Sequence, residues 1–354
     1  MFFFRCLTLA AFMVGAASRV LAASPDEAAR FLAGMSVPVD SSLSKLAESP
    51  GWKRHAQHFE QAFQMAETRQ LSRIRLWASK SLPPPNSSLL YFFSGPDFMY
   101  ADAFFPQRKN YLLSGLEPVG PLPDLEKIPP ERLFGALDNL QSALFLILNI
   151  SFFRTDDMRS QLESSALTGT IPVLYVFLAR SGKQIHEVTL IELSPTGDIS
   201  PIRSQTSVAN GVQIEFSSPG GERQKLYYFS GDVSNTGFRK SGLEAFAQKF
   251  GNVDGLIKSA SYLLHSGGFS YVRDLLLKNA KTLLQDDSGI PLSLVAKDRT
   301  VTAFGNYNGP IAMFNSHWQP GMVELYRKQE KKPLPFGIGY RWRPDDSNLV
   351  LAVK

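Results

Sequence analysis

The sequence predicts an α+β fold: a mixed β-sheet covered by helices, with an N-terminal helical arm. Three observations point to it. Strand-length apolar runs and helix-period stripes share the chain without strict alternation. Aromatic residues are plentiful at 12% while charged residues are few at 19%, the balance of a packed core. Proline clusters, Pro83-Pro84-Pro85 and the prolines at 118, 121, 123, 129 and 130, punctuate these segments as breaks and connectors. With 354 residues, 44% of them hydrophobic, the chain can bury one large core or two ordinary ones.

Residues 1–22 read as a signal peptide. Arg5 supplies the positive charge and Cys6 to Ala17 the short apolar run. Val20-Leu21-Ala22 sets small residues for cleavage after Ala22. The run falls short of the roughly 20 apolar residues of a membrane span, so no transmembrane segment is expected in the mature form. Cys6 precedes the run, which argues against a lipoprotein. It is also the only cysteine, so the mature chain is expected to hold neither a disulfide nor a thiol nucleophile. A bacterial periplasmic or secreted setting follows. The net charge of +5 drops to +3 once Arg5 and Arg19 are removed, leaving 35 basic against 32 acidic residues. That is too mild for a nucleic-acid partner.

Residues 23–82 form the expected helical arm. Between Ser49 and Lys80, Phe59, Phe63, Ala66, Ile74 and Trp77 fall near one face. His55 and His58 have a metal-ligand spacing, but no third ligand is near, and they read as solvent-facing. Three prolines then end the helix.

Residues 83–354 form the α+β domain. Ser88–Phe93 and Asn110–Leu116 read as strands. Glu131–Ile150 reads as a core helix rather than a membrane span. Ile171–Ala179 is a continuous apolar run of strand length, and Glu187–Leu193 alternates. Val212–Phe216 and Gln224–Phe229 flank Ser217-Ser218-Pro219-Gly220-Gly221 as a hairpin. Gly242–His265 reads as one or two helices, and Val272 to Leu284 as another apolar helical stripe. Val301–Phe304 and Leu349–Val353 close the list of strands.

The candidate site rests on two similar segments, LYFFSGPD at 90–97 and LYYFSGD at 226–232. Each runs apolar and breaks at Ser-Gly with an acid beyond. Ser114-Gly115-Leu116-Glu117 and Ser241-Gly242-Leu243-Glu244 echo one another as well. A degenerate duplication and chance reuse of common residues both account for this. Acids just past strand ends stand where sheet proteins gather ligands. The candidate ligand residues are therefore Ser94, Asp97, Tyr100, Asp102, Ser230 and Asp232. Together they would suit a cation or a shared proton. As the competing reading, Asp97 and Asp232 close local turns on their own backbone. No metal site or cofactor is assigned.

Other motifs are weaker. His265-Ser266-Gly267-Gly268 resembles a glycine-rich oxyanion loop but also an ordinary helix stop, and no Gly-x-Ser-x-Gly elbow is present. Asp286-Asp287 reads as a structural clamp closing a helix. Asn306-Tyr307-Asn308 and Asn315-Ser316-His317-Trp318 would suit a sugar, or else serve as core and interface.

The segments FSGPDFMYADAFFP, YLLSGLEPVG, QDDSGIPL and PLPFGIGYRW resemble a group of bacterial secreted proteins of no assigned activity. The resemblance covers most of the chain after Pro83. It implies a secreted bacterial protein and carries over no functional residue. The expected function is thus an exported envelope protein with a binding or structural role, its partner an envelope polysaccharide or another envelope protein. The alternatives are an envelope glycan hydrolase using a carboxylate pair among Asp97, Asp102 and Asp232, and a metal-dependent enzyme adding His265 or His317.

Overall fold

The helical arm begins with two well-capped helices. The computed structural model describes residues 22–152, 165–202 and 209–354; the expected leader, apart from Ala22, lies outside them. Ser24 and Glu27 form a capping box around α1 (Pro25–Leu32), with Pro25 in its first turn. Ser49 caps α2 (Pro50–Ala66), which a π-helical turn joins to α3 (Ser72–Ser81). Trp52, Phe59, Phe63, Ile74 and Trp77 bury one stripe in the same core as the sheet. His55 faces that core instead of solvent: its Nε2–H donates to the Leu32 carbonyl and its Nδ1 accepts from Gln141, each at 2.8 Å.

A ten-stranded mixed sheet covered by helices follows, as the sequence predicts. Its strands are β1 (Ser88–Tyr91), β2 (Asn110–Gly115), β3 (Gln184–Leu193), β4 (Ile199–Pro201), β5 (Gly211–Ser217), β6 (Arg223–Ser230), β7 (Val253–Ile257), β8 (Ala280–Gln285), β9 (Thr300–Gly305) and β10 (Asn348–Val353). In space they run β4-β3-β5-β6-β2-β1-β7-β8-β10-β9. The five central strands, β6-β2-β1-β7-β8, are parallel. Numbered among themselves in chain order they read 3-2-1-4-5, as in open doubly wound sheets. The expected hairpin of β5 and β6 forms, and β3 extends it on one side. On the other side β10 inserts antiparallel between β8 and β9.

Among the described residues the other α-helices of six residues or more are α4 (Phe98–Phe104), α5 (Pro130–Ile150), α6 (Ile171–Arg180), α7 (Asn235–Lys240), α8 (Leu243–Gln248), α9 (Ser270–Asn279) and α10 (Pro320–Lys328). Leu89, Tyr91, Tyr111, Leu113 and Tyr228 point to one face of the sheet, under α1 to α6. Leu90, Phe92, Leu112, Tyr227 and Phe229 point to the other, under α7, α8 and α9. Burial on both faces explains why β1 and β2 read as unbroken apolar runs. Helix α5 is long and apolar enough to cross a membrane by length and composition. Its Leu133, Leu137, Leu140, Leu144 and Ile147 are packed in the core.

Three expectations of secondary structure are corrected. The run Ile171–Ala179 is helix α6, buried on every side, so no polar face marks its period. Pro172 in its first turn was the missed signal. The stretch read as helix from Gly242 to His265 holds a central strand, β7, after the short α8. Asp254 and Gly255 are poor strand formers, but tertiary contacts override them. The buried Asp254 carboxylate accepts from Arg108 at 2.8 Å and from the Asn86 side chain at 2.7 Å. Likewise Leu283 and Leu284 lie on β8, so Asp286-Asp287 follows a strand and not a helix.

Candidate functional site

From β1 the chain moves to β2 and later β6 on one side, then crosses back to β7 and β8 on the other. The switch therefore lies between β1 and β7. Loops leaving the carboxyl ends of such strands part there and open a crevice. A cavity of about 700 Å³ occupies this place. Its walls come from the exits of β1, β2, β6 and β7, together with Phe152, Phe269, Phe314 and Tyr340.

Small residues make the room. Ser94-Gly95, Ser114-Gly115 and Gly231 sit side by side at the ends of three neighbouring strands. The Ser114 carbonyl accepts from the Ser94 and Gly95 amides, and the Gly115 carbonyl from that of Gly231. The two FSG segments thus flank a third Ser-Gly end. Gly95 adopts φ +54°, and a Cβ there would lie 3.3 Å from the Glu117 carboxylate. A Cβ on Gly115 would collide with that carboxylate. Glu117 is buried, lines the cavity and accepts from the Tyr228 hydroxyl at 3.3 Å.

Under the cavity lies a buried ion pair. Lys258, one residue past β7, meets Asp97 at 3.0 Å, and both side chains are 2% exposed. The ammonium also donates to the Ser151 carbonyl and stands 4.3 Å from the Tyr100 ring centre. Asp97 accepts from the Tyr91 hydroxyl at 2.8 Å and from the Tyr100 N–H at 3.1 Å, capping α4. Burial raises the Asp97 pKa, and Lys258 opposes the rise. Burial, then the negative charge of Asp97, pushes Tyr91 up, so its hydroxyl stays a donor.

The backbone around this pair is strained. Six non-glycine residues among those described have positive φ. Phe93, Ser259 and Ser261 line the cavity, Tyr262 follows them, and Ser151 gives its carbonyl to Lys258. Each such conformation costs about 1–3 kcal/mol and persists only where surroundings enforce it. Asp286 and Asp287 hold the part of this backbone at residues 259–262, from beyond a strand and not as the clamp closing a helix that the sequence suggests. Asp286 accepts from the Ser259 N–H at 2.9 Å, and Asp287 from the Tyr262 hydroxyl and, at 3.0 Å, from Asn348. Burial raises the pKa of both acids.

The candidate residues divide. Ser94, Asp97 and Asp232 line the cavity. Asp232 is exposed and closes a local turn, accepting from the Ser234 N–H at 2.7 Å and its hydroxyl at 2.5 Å. Tyr100 is buried with its ring against Lys258. Ser230 ends β6 without lining the cavity. Asp102 is elsewhere, paired with Lys183 at 2.9 Å beside a different cavity of about 320 Å³. Tyr307 is core and rests against the exposed Trp318. His265 and His317 contact one another and Tyr262, outside the cavity wall. Among the described residues no group of three His, Cys, Asp or Glu side chains could hold a metal.

Sequence reasoning missed Glu117, Lys258 and the serines after it. Glu117 met the criterion applied to Asp97, an acid just past a strand end. Lys258 was hidden because its strand read as helix. Fold and cavity together describe a helix-covered sheet with a ligand-sized crevice at its switch point. Comparison with protein-family models, curated proteins and solved structures finds no match.

Proposed function

We propose that the chain is an exported binding protein of the bacterial cell envelope that holds a small, partly apolar ligand in the switch-point cavity. The leader-like residues Arg5 to Ala22 support export. The position of the cavity carries the binding reading: it opens where doubly wound sheets take ligands, and its volume of about 700 Å³ is that of a small-molecule site. Leu116, Leu263 and Met313 at its wall are 62%, 38% and 81% exposed, an apolar rim that favours a ligand with an apolar part. The carboxylate-pair hydrolase is less well supported. Asp97 is committed to Lys258, Tyr91 and α4, and Asp102 lies outside the cavity.

An environment-sensitive dye, 8-anilinonaphthalene-1-sulfonate, tests the binding reading on the leader-free chain. Gly231 lines the cavity and a Cβ on it meets nothing within 4 Å, so Gly231→Phe adds a ring at the cavity wall without a backbone clash. The wild type should bind the dye saturably at one site. Gly231→Phe should keep its unfolding temperature and lose that binding. Dye binding unchanged in Gly231→Phe, or absent from the wild type, would overturn the reading. Fractionation of cells expressing the full chain tests export, which a wholly cytoplasmic product would refute.

A further inference from the structure

We infer that a groove on the helical arm binds a fatty-acid anion, at a second site apart from the switch-point cavity. The Gln141 side chain bonds His55 at 2.8 Å and holds α5 against α2. Further along both helices, towards their C-terminal ends, the groove opens with a volume of about 370 Å³, within the range of small-ligand sites. Ala62 and Met65 of α2, Phe145 and Leu148 of α5, and Trp342 give it an apolar lining. Met65, Phe145 and Trp342 are 41%, 60% and 42% exposed although they share one concave surface. Exposed apolar side chains gathered in this way mark a binding surface. A groove along two helices with an unbranched methionine in it suits a flexible methylene chain.

The charged side of the groove selects the head group. Arg69 and Arg73 line it together with His58, and among the described lining residues there is no acid. Arg73 donates to the Pro335 carbonyl at 3.1 Å, and among the described residues Arg69 has no hydrogen-bond or ion-pair partner. A guanidinium pairs with a carboxylate through two parallel N–H bonds. The ligand part that meets Arg69 is therefore anionic, and the part that runs on over Met65, Phe145 and Trp342 is apolar.

An unusual stretch of backbone carries the arginines. The π-helical turn Glu67–Leu71, which joins α2 to α3, holds Arg69. Such wide turns are rare within helices and frequent at functional sites. In this turn Gln70 is buried, and its Oε1 accepts from the Gly337 N–H at 3.1 Å. Gln70 and Arg73 thus tie the arm to the segment that leads to Trp342, whose ring also lies 5.2 Å from the Arg343 guanidinium. Head-group and tail contacts from three distant parts of the chain are held in one groove by these bonds.

Isothermal titration calorimetry of the leader-free chain with sodium dodecanoate tests this. Dodecyltrimethylammonium carries the same chain under a cationic head, and phosphatidylglycerol vesicles offer an anionic membrane in place of a free amphiphile. Dodecanoate should bind, with dodecyltrimethylammonium at least tenfold weaker and the chain left in the supernatant when the vesicles are sedimented. Arg69→Gln and Phe145→Gln, both at exposed positions, should keep the wild-type unfolding temperature and each weaken dodecanoate at least tenfold. Gly231→Phe should leave a dodecanoate site of wild-type affinity, since Gly231 lines the other cavity. The inference fails if dodecanoate does not bind, which is the result expected of arginine stems that only cover apolar surface. It also fails if the cationic amphiphile binds equally, if Arg69→Gln binds dodecanoate as the wild type does, or if the chain sediments with the vesicles. Loss of dodecanoate binding in Gly231→Phe alone would place the ligand in the switch-point cavity and overturn it as well. Dye binding in that cavity is a separate measurement, so failure of either reading leaves the other to its own test.

Discussion

Replacing Lys258 by Met would leave Asp97 as an unpaired carboxylate in a site that is 2% exposed. The acid would keep two donors, the Tyr91 hydroxyl and the Tyr100 N–H, and lose its countercharge. Removing one partner of a buried pair costs about 3–5 kcal/mol, a large part of the roughly 5–15 kcal/mol that holds a domain together. Asp97→Asn strands the Lys258 ammonium instead and should cost a similar amount. The double variant removes both charges and should cost far less than the sum, with a coupling of about 3 kcal/mol. Acid should partly rescue Lys258→Met. The Asp97 pKa is already raised in the folded state by burial, and loss of Lys258 raises it further. A raised acid contributes stability that is full below its unfolded pKa and lost as pH rises through its folded pKa. The deficit of Lys258→Met should therefore shrink between pH 7 and pH 5, by up to about 1.4 kcal/mol per pH unit. Urea unfolding followed by tryptophan fluorescence and far-UV circular dichroism measures both effects. Single-variant costs that add within about 0.5 kcal/mol, with no acid rescue, would refute the claim that these groups form one buried pair.

His55 should give the opposite pH response. Burial pushes its pKa down to about 4, and both ring nitrogens are satisfied in the neutral form. Its stability contribution is present above the unfolded pKa and lost as pH falls, by up to about 3 kcal/mol between pH 6.5 and 4. The urea midpoint of the wild type should drop over that range more steeply than that of His55→Gln; parallel curves would dismiss the effect. Gly115→Ala and Gly231→Ala make a matched pair. The first drives a methyl into Glu117 and within 2.7 Å of the Gly95 Cα, at a cost of about 1–3 kcal/mol. The second enters open space and should change stability by less than about 0.5 kcal/mol. Equal unfolding temperatures for the two would contradict the packing of the strand ends.

Some of the site was legible before any fold was known. The two FSG segments read as strands leaving a sheet at sharp turns, and Ser94, Asp97 and Asp232 do border one cavity. β1 and β6 are not adjacent, because β2 separates them and adds a Ser-Gly of its own. The local-turn alternative also holds for Asp232, whose carboxylate bonds Ser234. Asp102 shares the helix of Tyr100, but its pairing with Lys183 takes it away from the cavity. Asp97 shows how both readings can apply at once, since it caps α4 and still pairs with Lys258.

By itself the sequence determined the features that local chemistry controls. Prolines end the arm, serines cap its first helices, the Ser217-Ser218-Pro219-Gly220-Gly221 turn makes the β5–β6 hairpin, and burial on both faces writes β1 and β2 as apolar runs. Tertiary structure alone decided the rest. An apolar run buried on every side has no period, so α6 could pass for a strand. Asp254 and Gly255 lower the local preference for strand, so β7 emerged only through Arg108 and the neighbouring strands. With β7 came Lys258, and an ion pair between residues so distant in the chain leaves no mark in either segment alone. Its countercharge is supplied through space, which is why the centre of the site became readable only in the folded molecule.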